Sequence, residues 1–252
     1  MAKQKGIIKL DGTIGGITFY KTTEDGYLAR EKGGVSADKI ANDPAFQRTR
    51  EHGEEFRRAG KAGKLLRNSI RAMLQNASDS RMVGRLTQKM VEVIQEDITN
   101  PRGQRNVIDG EAELLEGFEF NISGKLGTTL YAPFTGTIDR VAGTLTANIP
   151  AFVPINMLAA PGGSTHFKIV SAGAEVDFEN ETFVMDAQAT AVLPWDSAAT
   201  AVITLVNTVT ANSTHPLFLA LGIEFYQEVN GQMYPLKNGA FNPLSLVKVS
   251  GL

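Results

Sequence analysis

Few side chains in this sequence have the type and spacing that chemistry needs. Glu175 with Asp177, and Glu179 with Glu181, stand at same-face spacing for a strand. Glycoside hydrolysis needs two acids facing each other across a cleft, whereas acids on one strand face read first as a solvated surface. The histidines, His52, His166 and His215, lie far apart with no partners at metal-ligand spacing. There is no cysteine, so disulfides, thiolate catalysis and Cys-based metal sites are excluded. No G-x-S-x-G elbow and no Walker loop occurs, and Gly33–Gly34 and the Gly60/Gly63 pair are too sparse to cradle a phosphate. Trp195, the only tryptophan, sits in Pro194–Trp195–Asp196. It is a possible ligand platform for a glycan, although a loop anchor on the core edge is the simpler reading. These observations predict a non-enzyme with no metal and no cofactor.

The remaining charged group is cationic. Arg48, Arg50, Arg57, Arg58, Lys61, Lys64, Arg67, Arg71, Arg81 and Arg85 fall within one helical stretch and could track phosphates. Glu51, Glu54 and Glu55 interleave with them, and mixed charges at i,i+3 and i,i+4 more often make a salt-bridged helix face. No helix–turn–helix, RRM or finger pattern accompanies them.

The elements that position these groups follow from periodicity. Asp43 and Pro44 form a helix start, Asp43 as cap and Pro44 at the first position. Leu65, Leu66, Ile70, Met73 and Leu74 recur at helical spacing. Asn76–Ala77–Ser78–Asp79 breaks the pattern, and Met82, Leu86, Met90, Val93 and Ile94 make a second stripe. Two or three amphipathic helices are predicted over 43–97, each needing cover for its stripe. Upstream, Ile7–Leu10, Ile14–Tyr20 and Tyr27–Arg30 read as strands of an extended arm, with Asp11–Gly12 as a tight turn. An acidic joint at 108–117 suggests a single helical turn. Beyond it, 118–122, 144–149, 165–170, 174–178, 182–192 and 201–208 read as strands. Leu217–Val229, Asn230–Gly231 and Gln232–Leu236 form the clearest hairpin, and Leu244–Val249 closes the set. The class predicted is α+β: an N-terminal β arm (1–42), a basic helical region (43–107) and an acidic antiparallel β-sandwich of jelly-roll or immunoglobulin-like type (108–252).

The 252 residues, 42% apolar and 21% charged, are those of a globular chain able to bury a core. No apolar run is long enough for a membrane span. No secretory signal is visible at the N-terminus, so cytoplasmic synthesis is expected, with later release left open. The net charge of −2 hides an asymmetry: residues 1–107 hold 20 Lys+Arg against 13 Asp+Glu, and 108–252 hold 5 against 14. One reading is two parts of one fold with different compositions. Others are a nucleic-acid surface, or a basic half that meets the acidic half of another copy.

Several segments carry a resemblance. Gly12–Thr13–Ile14–Gly15, Thr18–Phe19–Tyr20–Lys21, 25–34 (DGYLAREKGG), 43–50 (DPAFQRTR) and 103–107 (GQRNV) are similar to a family of uncharacterised bacterial proteins. The resemblance spans roughly residues 1–110 and implies no activity and no functional residues.

The expectation from the sequence is thus a structural protein that self-assembles into a homo-oligomer or filament. Phe19, Tyr20, Tyr27 and Leu28 would anchor the arm on a neighbour. Arg48, Arg50, Arg57 and Arg58 would meet Glu175, Asp177 and Glu179 of another copy. The alternatives are a glycan- or protein-binding sandwich using Trp195, and a nucleic-acid-associated protein using the basic helices.

Overall fold

The structure is a computed structural model that describes residues 2–77 and 79–251, with the side chains of residues 237 and 238 outside that description. Ser78, expected in the inter-helix break, lies outside the described residues. The chain divides into two compact units, Met1–Arg50 and Glu51–Leu252.

The first unit carries a small antiparallel sheet in the order β1-β4-β3-β2, formed by β1 (Ala2–Lys3), β2 (Gly12–Ile14), β3 (Ile17–Thr22) and β4 (Gly26–Glu31). Its tight turn is at Gly15–Gly16 rather than Asp11–Gly12. Ile14 pairs with Ile17 across the two-residue loop, and Gly15 has φ +58, the left-handed conformation such a loop requires at its first position. The strand expected at Ile7–Leu10 does not form. Gln4 takes both backbone groups of Leu10 into side-chain hydrogen bonds (2.9 and 3.2 Å), and Lys9 Nζ donates to Gln4 O, so a local loop replaces a ladder. A short helix that the sequence did not signal, α1 (Ala37–Asn42), is capped by Ser36. Asp43 caps the following 3-10 turn at Pro44–Phe46 by accepting from the Ala45 N–H at 2.9 Å, as expected. Helix α2 (Gln47–Ser69) continues from there across the boundary between the units.

The second unit has three layers. Its centre is an antiparallel sheet in the order β12-β11-β7-β8, made of β7 (His166–Asp177), β8 (Thr182–Ala189), β11 (Leu217–Val229) and β12 (Gln232–Pro235). β13 (Leu244–Ser250) pairs along Leu217–Gly222 of β11, and the short β9 (Leu193–Pro194) along the start of β7. On one face lies a three-stranded sheet, β10-β6-β5, formed by β5 (Thr135–Asp139), β6 (Thr144–Ile149) and β10 (Ile203–Thr208). On the other face lie α2, the one-turn α3 (Arg71–Leu74) and α4 (Met82–Gln95). The α+β class with an antiparallel β-sandwich is therefore the observed architecture.

Alternation along the strands builds both interfaces. Leu217, Leu219, Leu221, Ile223 and Phe225 of β11, with Phe167 and Ile169 of β7, pack against Leu145, Ala147, Ile149, Ile203 and Leu205 of the small sheet. Ala172, Ala174 and Val176 of β7, with Phe218, Ala220, Leu244 and Leu246, meet Leu66, Ile70, Leu86, Met90, Val93 and Ile94 of the helices. The helical stripes thus find their cover on the sandwich itself. Burying two apolar faces against each other is favourable, and residues 51–107 form one layer of the unit Glu51–Leu252. β7 also differs from expectation: the runs at 165–170 and 174–178 are one continuous strand, because Gly173 leaves room for β10 to pass rather than ending the strand. A Cβ there would lie 2.7 Å from Asn207 Cβ. Residues 118–122 make only one bridge, Glu119 to Ser245, beside β13. The acidic joint contains the expected turn, a 3-10 turn at Ala112–Leu115.

Candidate functional site

Helix α2 carries Arg57, Arg58, Lys61 and Leu65 along one flank, where Lys61 lies three residues from Arg58 and four from both Arg57 and Leu65. That flank meets the segment 106–108 and the β7–β8 turn around a cavity of about 230 Å3. Leu65, Val107 and Phe178 supply apolar lining, and the three cations and Glu181 supply the charged lining. The Phe178 ring stands edge-on to Phe218, with centroids 6.2 Å apart, which fixes its orientation.

Each cation has a distinct tether. Arg57 donates twice to Glu54 Oε2, at 2.7 and 2.9 Å, and this pairing holds the Glu54 carboxyl below its usual range. Arg58 Nη1 donates to the carbonyls of Gly103 (2.6 Å) and Arg105 (3.1 Å). Lys61 Nζ is 3.1 Å from Glu181 Oε1. Buried Glu55 accepts from the Gly103 N–H at 2.9 Å, which pins the same loop.

A second cluster contains the residue types of a catalytic triad in a different arrangement. Ser213 Oγ donates to Glu175 Oε1 at 2.6 Å, and Thr210 N–H donates to Glu175 Oε2 at 3.1 Å. The His215 N–H donates to Ser213 Oγ, and His215 Nε2 is 3.7 Å from Asp177 Oδ2. Burial pushes the Glu175 carboxyl up, but the bonds from Ser213 and Thr210, with His215 nearby, outweigh it and lower its pKa. Asp177 is lowered by the N–H and side-chain amide of Asn180 and the N–H of Glu179. A serine nucleophile needs its hydroxyl bonded to a base that the proton can reach and leave again. Here the hydroxyl is committed to a carboxylate held in its charged form, and the cluster fastens the loop at 210–215 to β7. No protein-family model, curated protein or solved structure matches this chain.

The residues singled out from the sequence disperse accordingly. Glu175 and Asp177 are buried and hydrogen bonded within their own unit, so they do not suit the expected pairing with another copy's arginines; Glu179 is exposed. Arg48 is exposed, and Arg50 donates to the carbonyls of Ile40 (2.7 Å) and Asp43 (3.0 Å). In the arm, Leu28 is buried, while Phe19, Tyr20 and Tyr27 are half-buried, with Arg30 over the Tyr20 ring and Lys9 and Lys21 over Tyr27. Trp195 is half-buried against the core between the two sheets, and its indole N–H donates to Leu158 O at 3.1 Å. That is the geometry of a loop anchor. The cavity brings Arg57 and Arg58 together with Val107 and Phe178, which sequence reasoning did not connect. No local pattern links residues that meet only through the fold.

Proposed function

We propose that this chain is a non-enzymatic structural protein that self-assembles, with the N-terminal arm docking on the sandwich of another copy. The observation that carries the reading is the state of the arm. Its sheet has four strands, none longer than six residues. Leu28 is its one buried apolar side chain among the described residues, whereas Ile7, Ile8, Ile14 and Ile17 are exposed, Ile7 fully. A sheet this small with so little burial is marginal by itself, and the exposed pair Ile14 and Ile17, adjacent across the β2–β3 turn, suits a surface that meets a partner. In this reading the host is β8. β8 is the outermost strand of the central sheet, carries exposed Phe183 and Val184, and pairs with β7 along one edge. Strand addition at such an edge is a general mode of association.

The electrostatic part of the proposal narrows to Arg48, Arg57 and Glu179, the members of the expected set that are exposed. Light scattering coupled to size exclusion, at high protein concentration and low salt, tests the reading. A species larger than the monomer is expected, and deleting residues 2–34 should return it to a monomer. A full-length chain that stays monomeric under those conditions defeats the proposal.

A further inference from the structure

The cavity beside α2 is lined entirely by residues of the second unit, and its lining points to a ligand. We propose that it binds a small organic anion with a flat or branched apolar body, such as an aromatic carboxylate.

At about 230 Å3 the space falls below the roughly 300–1,000 Å3 of sites for drug-sized molecules. It suits a single ring bearing one anionic group. Leu65 and Val107 are buried at the floor, and Phe178, held edge-on by Phe218, offers an aromatic wall. An apolar body placed there leaves water without reorganising the site.

Charge sets the second requirement. Arg57, Arg58 and Lys61 face the same opening against Glu181. The pairs Arg57–Glu54 and Lys61–Glu181 are about half exposed on both partners. Such surface pairs are worth little, so an incoming anion can replace them at small cost. Arg58 is different. Its Nη1 is spent on two backbone carbonyls, which aims the guanidinium without neutralising it. The group has five N–H donors in a planar fork, and two are used there. Asn106, the remaining polar side chain of the lining, is committed to the Asp109 carboxylate and to the N–H groups of Ile108 and Asp109. Recognition therefore falls to the cations, which selects an anion over a neutral ring. It falls to the apolar lining as well, which selects a ring over a simple anion.

The test is a 1H–15N correlation titration of the full chain with benzoate, with benzamide and acetate as controls. Benzoate should give saturable shifts in the amides of residues 61–65, 106–108 and 178–181. Benzamide, which lacks the charge, and acetate, which lacks the ring, should each bind at least fivefold more weakly. Lys61 is exposed and solvated, so Lys61→Ala and Lys61→Glu should keep the spectrum of a folded protein while weakening benzoate at least fivefold and further still, respectively. The proposal is overturned if benzoate shifts are absent or unsaturable, if acetate matches benzoate, or if both Lys61 variants bind as the unaltered chain does.

Discussion

Leu86→Ala asks whether the helices and the sandwich are one cooperative body. Leu86 is fully buried in α4, in the layer between the helices and the central sheet. It faces Gly63 of α2, whose absent side chain would lie 3.6 Å from Leu86 Cγ. Truncation therefore opens a cavity against backbone, which cannot swing in to fill it. Leu→Ala changes in cores cost about 2–5 kcal/mol, and limited collapse keeps this site off the low end, at about 3–4 kcal/mol. With a urea slope of about 2–3 kcal/mol/M for a unit of this size, the midpoint should fall by about 1–2 M. The reporter is Trp195, whose ring packs on the opposite core, between the two sheets, and which is the only tryptophan. Its fluorescence transition and the helical circular dichroism should shift together. A helical signal that moves while the Trp195 transition stays in place would show that residues 51–107 fold apart from the sandwich, and the three-layer argument would fail.

Arg140 donates to the carbonyls of Ser213, His215, Ser250 and Gly251 and to Ser250 Oγ. Arg140→Ala should cost about 2–3 kcal/mol in thermal or urea unfolding, and Arg140→Lys should not restore it, since a point charge cannot reach several diverging acceptors. Equal stability of the Lys variant and the unaltered chain would contradict this. The lowered pKa of Glu175 means that its contribution is present above the ordinary carboxylate range and is lost as pH falls through the depressed value. Glu119 has the opposite sign: burial raises its pKa, so its contribution is present at low pH and is lost as pH rises through the raised value. Ser213→Ala removes the strongest bond holding Glu175 in its charged form, so acid unfolding followed by Trp195 fluorescence should begin at higher pH. An unchanged acid midpoint would show that the Ser213–Glu175 bond does no such holding.

The parts of this fold that could be read from the sequence are those set locally. Asn230–Gly231 specified its turn because both residues adopt positive φ, +52 and +77, and the flanking strands pair as expected from Tyr226 to Pro235. The helical stripes were legible because Leu66, Ile70 and Met73, and then Leu86, Met90 and Ile94, repeat at helical spacing. What covers the stripes was not. Ala172, Ala174 and Val176 belong to a strand buried on both faces, where polar alternation vanishes. Glu175 read as solvated because nothing nearby in sequence announces Ser213 or Thr210, which lie 38 and 35 residues further on. The cavity has no local sequence signature for the same reason, since its apolar wall, Phe178, is distant in sequence from its cations.

The lateness of β13 has a consequence for biosynthesis. Leu244, Leu246 and Val249 complete the face that shields the helices, yet they emerge about 150 residues after α4 is finished. At roughly 5–20 residues per second, a ribosome leaves that greasy surface incompletely covered for about 8–30 s. Nascent chains halted before residue 217 should therefore bind a hydrophobic dye such as ANS, and the released, folded chain should not.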